Sequence, residues 1–264
     1  MIKKFLILFF IILSLTVIFS STSSFAQKDK EKNDSVLPEI EGTFNVPNRP
    51  DLKVRVFVHG PKPAKPSSTQ TPVLVCPTED PNSTAVVPPV GWHLPSSWTY
   101  TLNPGSAPSS VGSGNLTTIA GNAFNAWTSA VPGKVAISQA STASINRARF
   151  DGKNIIAWGR ASSGTLAVTY TWYYQSTGLV AENDTIFNNR YPWFWNAVNN
   201  TCTDSKSYDA QDILTHEIGH WMGLNDTYTN DYINNTMFGY GSKGEVKKNT
   251  LTTGDTQGVQ AIYP

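Results

Sequence analysis

The sequence predicts an α+β fold in which helices pack against a mixed, twisted sheet of about five strands. Two observations support this class: short β-prone runs are separated by Gly, Ser and Asn, and two longer segments have helical periodicity. The chain has 264 residues. This length is enough for one well-buried domain with an N-terminal extension, but it is short for two full domains. We therefore expect a single core.

The first predicted strand lies around Tyr100, where Trp98, Tyr100 and Leu102 alternate with threonines. This alternation is typical of a half-buried strand. The other four predicted strands are residues 135–138, 155–158, 166–173 and 185–187.

Two helices are predicted from periodicity. Residues 115–130 place Ile119, Ala123 and Trp127 on one apolar face, which should lie on the sheet. A second helix runs to about Met222. Ser207 or Asp209 can cap its start, acidic residues occupy its first turn, and Gly223 marks its end.

The N-terminus is typical of a signal peptide over residues 1–26. Two lysines precede the apolar run 5–19, and the small residues Ser24 and Ala26 fit a cleavage site. A membrane anchor is the alternative, but the run is shorter than the roughly 20 residues that a spanning helix needs. We expect secretion, with no stable membrane anchor after cleavage.

Residues 27–85 are predicted to form an N-terminal extension or pro-segment, and residues 86–264 the packed domain. Valines at alternate positions across residues 54–58 predict a short strand ending near His59. Residues 61–72 are rich in Pro, Ser and Thr, a composition typical of a linker.

The formal net charge of +1 comes from scattered charges. Phosphate backbones require a basic stripe, and none is visible, so we expect no nucleic-acid partner. We expect a monomer.

The second helix carries the run His216-Glu217-Ile218-Gly219-His220. Residues four apart lie on one helix face with a rise of about 6 Å, so both imidazoles can bind one ion. Glu217 is not needed as a ligand and can take a proton from a metal-bound water. A chance pair of surface histidines is the alternative interpretation.

The residues that follow make chance improbable. A turn at Gly223 can bring Asp226 back toward the ion, and Met237 lies a short loop further on. Here the chain resembles the metzincin metallopeptidases, whose pattern is H-E-x-x-H-x-x-G-x-x-H followed by a Met-containing turn.

The resemblance spans residues 92–264 and is closest to the matrixin branch. Residues 235–240 resemble the Met-turn, residues 123–127 the first helix, and residues 251–263 a final, third helix. It implies a metzincin-like catalytic domain that binds zinc in a cleft below the edge strand of its sheet.

One position departs from the matrixin pattern, because Asp226 stands where matrixins have the third histidine ligand. Aspartate here is the pattern of the snapalysin-like metzincins, and a carboxylate is an acceptable zinc ligand. The remaining histidines, His59 and His93, lie far upstream. A capping or turn role for Asp226 is the alternative.

The resemblance implies a zinc endopeptidase that acts on proteins or peptides, with His216, His220 and Asp226 as ligands and Glu217 as general base. It also implies that substrate adds as a strand along residues 164–168. Leu166, Ala167 and Tyr240 are the predicted substrate-binding residues. A binding or adhesion protein without turnover is the alternative from another class, and the intact Glu217 and histidines favour catalysis. A zinc hydrolase acting on a non-peptide substrate is disfavoured by the Met-turn.

Two further expectations concern calcium and the cysteines. The resembled family commonly binds calcium. The candidate oxygen donors are Asp151, Glu182, Asp184 and Asp204. Their spacing matches no calcium loop, so the alternative interpretation is that they are solvated surface carboxylates. Cys76 and Cys202 are expected to form a disulfide in an exported chain. The alternative is a Cys76 thiolate that caps the metal of a latent precursor.

Overall fold

The computed structural model describes residues 37–63 and 80–264. The predicted signal peptide, most of the predicted linker and Cys76 lie outside the described residues. The described part belongs to one compact unit, Leu37–Pro264.

The sheet-forming elements and helices follow one another along the chain. The strands are β1 (Gly42–Val46), β2 (Arg49–Pro61), β3 (Ser97–Leu102), β4 (Ala136–Thr142), β5 (Ile155–Gly159), β6 (Ala167–Tyr174), β7 (Val180–Asn188), β8 (Trp193–Phe194), β9 (Tyr208–Asp209) and β10 (Tyr240–Gly241). The helices are α1 (Leu116–Ala130), α2 (Ala210–Trp221) and α3 (Thr253–Ile262).

The main sheet is mixed and has the order β1-β2-β6-β7-β5-β3-β4, with β10 paired to β2. The pairs β3–β4, β3–β5 and β5–β7 are parallel, whereas β6–β7 and β2–β6 are antiparallel. The five predicted strands are β3 to β7, and they lie next to one another. The α+β class with three helices is therefore confirmed.

Helices α1 and α2 form the core against the sheet. Ile119, Phe124 and Trp127 of α1 are buried, as the periodicity predicts, and they join one cluster with Leu214 of α2. Burying each such side chain stabilises the fold by about 1.5–3 kcal/mol. The Trp127 indole N–H also donates to the backbone carbonyl of Thr215 at 2.7 Å, which fixes α1 against α2.

The N-terminal hairpin of β1 and β2 is part of the same sheet. Its turn passes through Asn48, whose φ of 58° lies in the left-handed region that asparagine tolerates. Strand β2 then pairs with β6 from Leu52, opposite Tyr174, to His59, opposite Ala167. The sequence predicts a short strand here but not its length or its partner.

Strand β2 is buried on both faces along its second half. Val54 and Val56 pack in a cluster with Val168 and Trp172, whereas Phe57 points into the main core. This double burial fixes the register, because a slip by one residue would exchange the two faces.

Within residues 37–63 and 80–264, no helix is long and apolar enough to cross a membrane.

Candidate metal centre

Helix α2 is fixed at both ends by the residues expected from the sequence. The Asp209 carboxylate accepts the backbone N–H of Asp212 at 2.7 Å and caps the start. After the helix, Gly223 has φ 100°. A β-carbon at that position would overlap the carbonyl of Trp92, so glycine is required both for the turn and for the close approach.

His216 and His220 are fully buried on one face of α2, with ring centroids 4.9 Å apart. His216 Nδ1 donates to the carbonyl of Thr236 at 2.7 Å, and His220 Nδ1 donates to the carbonyl of Leu224 at 2.9 Å. These bonds place the proton on Nδ1 and leave the Nε2 lone pairs free for a metal. The interpretation as a chance pair of surface histidines is wrong.

The backbone around Asp226 is held from both sides. Leu224 forms a β-bridge with Pro89, and Thr227 forms another with Phe238 in the methionine loop, residues 235–240. Asp226 lies between these two bridges, so its position is set by two separate parts of the chain.

The Asp226 carboxylate meets both histidines. Its Oδ1 lies 3.1 Å from His216 Nε2 and 3.6 Å from His220 Nε2. Within the described ranges, neither Asp226 oxygen and neither Nε2 has a hydrogen-bond partner. The three ligand atoms lie within 4.8 Å of one another, and all three residues are buried.

This donor set fits a zinc ion. Buried polar atoms without partners are costly, so their convergence indicates a site for a cation rather than a packing accident. Two imidazole nitrogens and one carboxylate oxygen are ligands that zinc accepts in catalytic sites.

The charges in the site also suit a cation. Burial lowers the pKa of His220 to about 3, despite the opposing effect of Asp226, so this imidazole is neutral. Burial opposes ionisation of Asp226, but His220 and His216 outweigh it and the pKa of Asp226 is lowered.

Glu217 is buried beside the ligands and is held by a chain of hydrogen bonds. Its Oε2 accepts the Thr169 hydroxyl at 2.6 Å, Thr169 and Thr185 share a 2.6 Å bond, and the Trp221 indole N–H donates to Thr185 at 3.0 Å. Since Thr169 donates its single hydroxyl proton to Glu217, Thr185 is the donor in the bond that the two threonines share, and Thr185 in turn accepts from the indole. Burial raises the pKa of Glu217 to about 8, although the Thr169 bond opposes the rise. Sequence reasoning missed Thr169, because no local pattern links a strand threonine to a helix.

Met237 is fully buried beside helix α2. Its carbonyl accepts both the N–H and the hydroxyl of Thr227 at 3.0 Å. A β-carbon on Gly219 would overlap Met237 Sδ, so the methionine packs directly against α2. The position of Met237 beneath a bound metal stays a prediction.

Asp255 of α3 connects the closing helix to this loop. Its Oδ2 accepts the N–H of Thr236 at 2.9 Å and that of Thr252 at 3.0 Å, while Oδ1 accepts the N–H of Met237 at 3.3 Å. Sequence reasoning missed this role. The signal present was the capping box, in which Thr252 precedes Asp255 by three residues.

Strand β2 brings His59 into the site, a residue that its distance along the chain had excluded. Its ring centroid lies 4.0 Å from that of His216, and its Nδ1 lies 3.9 Å from Glu217 Oε1. His59, His216 and Glu217 form a second group whose ligand atoms lie within 4.8 Å. Burial lowers the pKa of His59 well below its ordinary value.

The three predicted substrate-binding residues all contact β2. Leu166 donates its N–H to the carbonyl of His59 at 2.7 Å, Ala167 pairs with His59, and Tyr240 pairs with Gly60. The predicted edge is therefore covered by the chain itself.

The calcium candidates differ in environment. Glu182 and Asp184 are buried, so their interpretation as solvated carboxylates is wrong. Glu182 accepts the N–H groups of Asp151 and Gly152, and Asp184 accepts those of Arg149 and Ile155. These carboxylates thus bind a loop directly, and calcium stays a prediction.

Asp204 and Cys202 lie near the surface loop before α2. Asp204 is half-buried and accepts the Ser207 hydroxyl and the Lys206 N–H at 2.5 and 2.8 Å. Cys202 is not a free thiol. Its predicted partner, Cys76, lies outside the described residues, so the disulfide stays a prediction.

The fold and the site together define a class: a metzincin-type catalytic domain, in which a histidine-bearing helix lies under a mixed sheet and rests on a methionine turn. The family model for matrixins matches residues 91–264, more than half of the chain. The chain belongs to the matrixin family, and membership implies a zinc-dependent endopeptidase. Comparison with curated protein sequences gave no match.

Proposed function

We propose that this protein is a secreted zinc endopeptidase with His216, His220 and Asp226 as metal ligands and Glu217 as the general base. The observation that carries the proposal is the convergence of three buried, partnerless ligand atoms beside a buried glutamate. Family membership supports the same reaction class.

The environment of Asp226 supports a ligand role over a capping or turn role. A capping aspartate accepts backbone N–H groups. Neither Asp226 oxygen accepts a backbone N–H within the described ranges, and one oxygen faces both histidine Nε2 atoms. An aspartate ligand also carries a negative charge that a histidine ligand lacks. The ion is then a weaker acid toward its water, so deprotonation of that water by Glu217 becomes more necessary.

Zinc bound by these residues supplies a Lewis acid that polarises the scissile carbonyl and acidifies water. The protein supplies the proton transfers. Glu217 has one oxygen held by Thr169, while its Oε1 has no hydrogen-bond partner among the described residues. That free oxygen takes a proton from the attacking water and passes it to the leaving amine as the C–N bond breaks.

The test compares the parent protein with Glu217→Gln. Both proteins are also made with His59→Ala, because β2 lies along the edge of β6 at which the substrate is predicted to add. Zinc content and cleavage of casein are measured in all four proteins. Glu182→Gln is a matched control, since it makes the same change at a buried glutamate outside the site. We expect one zinc per chain throughout and cleavage only where Glu217 is intact.

Three results would contradict this proposal in different ways. Cleavage by Glu217→Gln at the parental rate would exclude Glu217 as base. Zinc without cleavage in both backgrounds would favour the binding or adhesion alternative. Absence of zinc from every protein would exclude the metal site.

Secretion and processing are tested by mass spectrometry of the protein recovered from the culture medium. An N-terminus near Gln27 would indicate a retained extension, and one near Val90 a removed pro-segment. Recovery only in the membrane fraction, with an intact N-terminus, would support the anchor instead.

A further inference from the structure

We propose that Lys248 is a positioning residue for peptide substrates. Its ammonium group holds residues 238–241, here called the β10 segment, in the place where they can bind the main chain of a peptide. The inference rests on the proposed function and extends it to how a substrate is held. It follows from the burial of Lys248, from its hydrogen bonds and from the strand pairing of the β10 segment.

The side chain of Lys248 is buried, which is unusual for a cation. Among the described lysines and arginines, Lys248 alone is buried, and its relative exposure is 0%. Burial of an ammonium group is costly unless hydrogen-bond partners and an opposite charge replace its water. The buried Asp212 carboxylate lies near enough for the two charges to attract each other.

Two main-chain carbonyl groups of the β10 segment accept protons from this ammonium group. Lys248 Nζ donates to the carbonyl of Phe238 at 2.7 Å and to the carbonyl of Tyr240 at 3.0 Å. Both residues belong to the stretch that leads from the methionine loop into β10. One ammonium group therefore fixes that stretch at two points.

The backbone of Lys248 is fixed in turn to helix α2. Lys248 lies in the short helical turn Lys247–Asn249, and its N–H donates to Asp212 Oδ1 at 2.8 Å. Asp212 belongs to the first turn of α2. Lys248 thus sets the position of the β10 segment relative to the helix that carries two of the proposed metal ligands.

Strand β10 already pairs with an extended part of the chain. It runs parallel to Gly60 and Pro61 of β2, and the Gly241 carbonyl accepts the Lys62 N–H at 2.8 Å. Bonds of this kind use main-chain atoms alone, so they can hold an extended peptide of any sequence.

The β10 segment also lies against the predicted substrate edge. A β-carbon on Gly241 would lie 2.9 Å from Cδ1 of Leu166, a predicted substrate-binding residue. Since β10 and Leu166 are this close, a small shift of β10 would change the fit of a peptide between them.

Loss of the ammonium group should therefore weaken substrate binding more than turnover. Main-chain bonds to β10 are made in the bound substrate and in the transition state alike. Loss of an interaction that is equal in both raises KM and leaves kcat unchanged.

The test variant combines Lys248→Met with Asp212→Asn. The second change avoids a buried carboxylate without its cation, and its amide oxygen can still accept the N–H of residue 248. Asp212→Asn alone is the reference. Lys247→Met is the matched control, because the ammonium of this neighbouring lysine donates to the carbonyl of Ile233 outside the β10 segment.

The first measurement is hydrogen exchange of the Lys62 amide by NMR in the intact chain, which needs no activity. Every sample carries Glu217→Gln to prevent self-cleavage. We expect the double variant to exchange this proton about tenfold faster than Asp212→Asn does. The Leu166 amide should keep its rate, because it binds the His59 carbonyl on the other side of β2. Lys247→Met should leave both rates unchanged.

The second measurement is the kinetics of a peptide taken from a casein site that the parent cleaves, with Glu217 intact. The double variant should raise KM about tenfold over Asp212→Asn and keep kcat within about twofold. Lys247→Met should match the parent in both constants.

The outcomes separate this inference from the proposed function. Equal exchange of the Lys62 amide in the double variant and in Asp212→Asn would overturn it. Faster exchange of the Lys62 and Leu166 amides together would also overturn it, because it would indicate general loosening. A fall in kcat at unchanged KM would exclude a role in holding substrate. If the parent neither binds zinc nor cleaves, the proposed function fails, and the exchange rates still decide the role of Lys248.

Discussion

The side chain of Met237 fills the space that a β-carbon on Gly219 would occupy, so the methionine loop and helix α2 are in direct contact. The same space is limited on another side by Trp127 of α1, whose ring would lie 2.8 Å from that β-carbon. Gly219 is therefore the point where helix, loop and core meet.

Replacing Gly219 by alanine should destabilise the protein although alanine favours helices. Overpacking a core of this kind costs about 1–3 kcal/mol, which exceeds the gain in helix propensity of about 1 kcal/mol. Urea unfolding monitored by tryptophan fluorescence measures the change. Gly121→Ala in α1 is the control, because no atom lies within 4 Å of its added β-carbon, and it should be slightly stabilising. Equal stability of Gly219→Ala and parent would contradict the contact.

Replacing Thr169 by valine should slow catalysis without removing zinc. The change deletes the hydroxyl that holds Glu217 Oε2, and loss of such an orienting partner typically costs 10–100-fold. Steady-state kinetics should show the loss in kcat with little change in KM. The measurement uses the parent if the parent cleaves substrate, and otherwise the His59→Ala variant. Thr171→Val is the matched control, since Thr171 is equally buried on the same strand but its hydroxyl has no partner in the described part of the chain. A similar kcat loss in both variants would indicate general damage to β6.

Replacing Asp255 by alanine should weaken zinc binding from outside the site. The variant leaves several buried N–H groups of the methionine loop and α3 without an acceptor, each costing about 1–3 kcal/mol. The carbonyl of Thr236, which orients His216, would lose its fixed position. Competition with a chelator should show zinc loss that is about tenfold easier. Asp231→Ala, an exposed residue in a neighbouring turn, should match the parent.

The stability of the protein should fall as pH rises from about 4.5 to about 7, in part because of Glu182. Burial raises the pKa of Glu182 from 4.5 to about 7, so the folded state binds a proton that the unfolded state releases in this range. The free energy of unfolding therefore decreases with pH there and levels off above it. Glu182→Gln should make this decrease smaller in urea titrations without calcium. Asp204→Asn should not, because the pKa of Asp204 is lowered and its titration lies below this range. An unchanged slope in Glu182→Gln would show that Glu182 does not titrate there.

Helix α2, which carries two of the proposed metal ligands, could be predicted because its signals are local. Asp209 caps its own helix, Gly223 ends it, and the spacing of His216 and His220 follows from helical periodicity. The roles predicted for Asp226 and Met237 rest on a resemblance that covers consecutive residues.

The role of β2 could not be predicted, because strand pairing is nonlocal. The alternating valines predict a strand, but backbone hydrogen bonds to β6 carry no sequence signature. The proline-rich composition of residues 61–72 predicts instead that the strand belongs to an extension separate from the catalytic domain. For the same reason the burial of Glu182 could not be predicted, since its partners are backbone N–H groups of a distant loop.

The link from Asp255 to the methionine loop makes the candidate metal site depend on the C-terminal helix. Asp255 accepts N–H groups from both α3 and the loop that positions His216, so the pocket is complete only with the closing helix in place. A molecule clipped ahead of Asp255 would be left without a competent zinc pocket even if its histidine helix were intact, which protects the surroundings from active fragments.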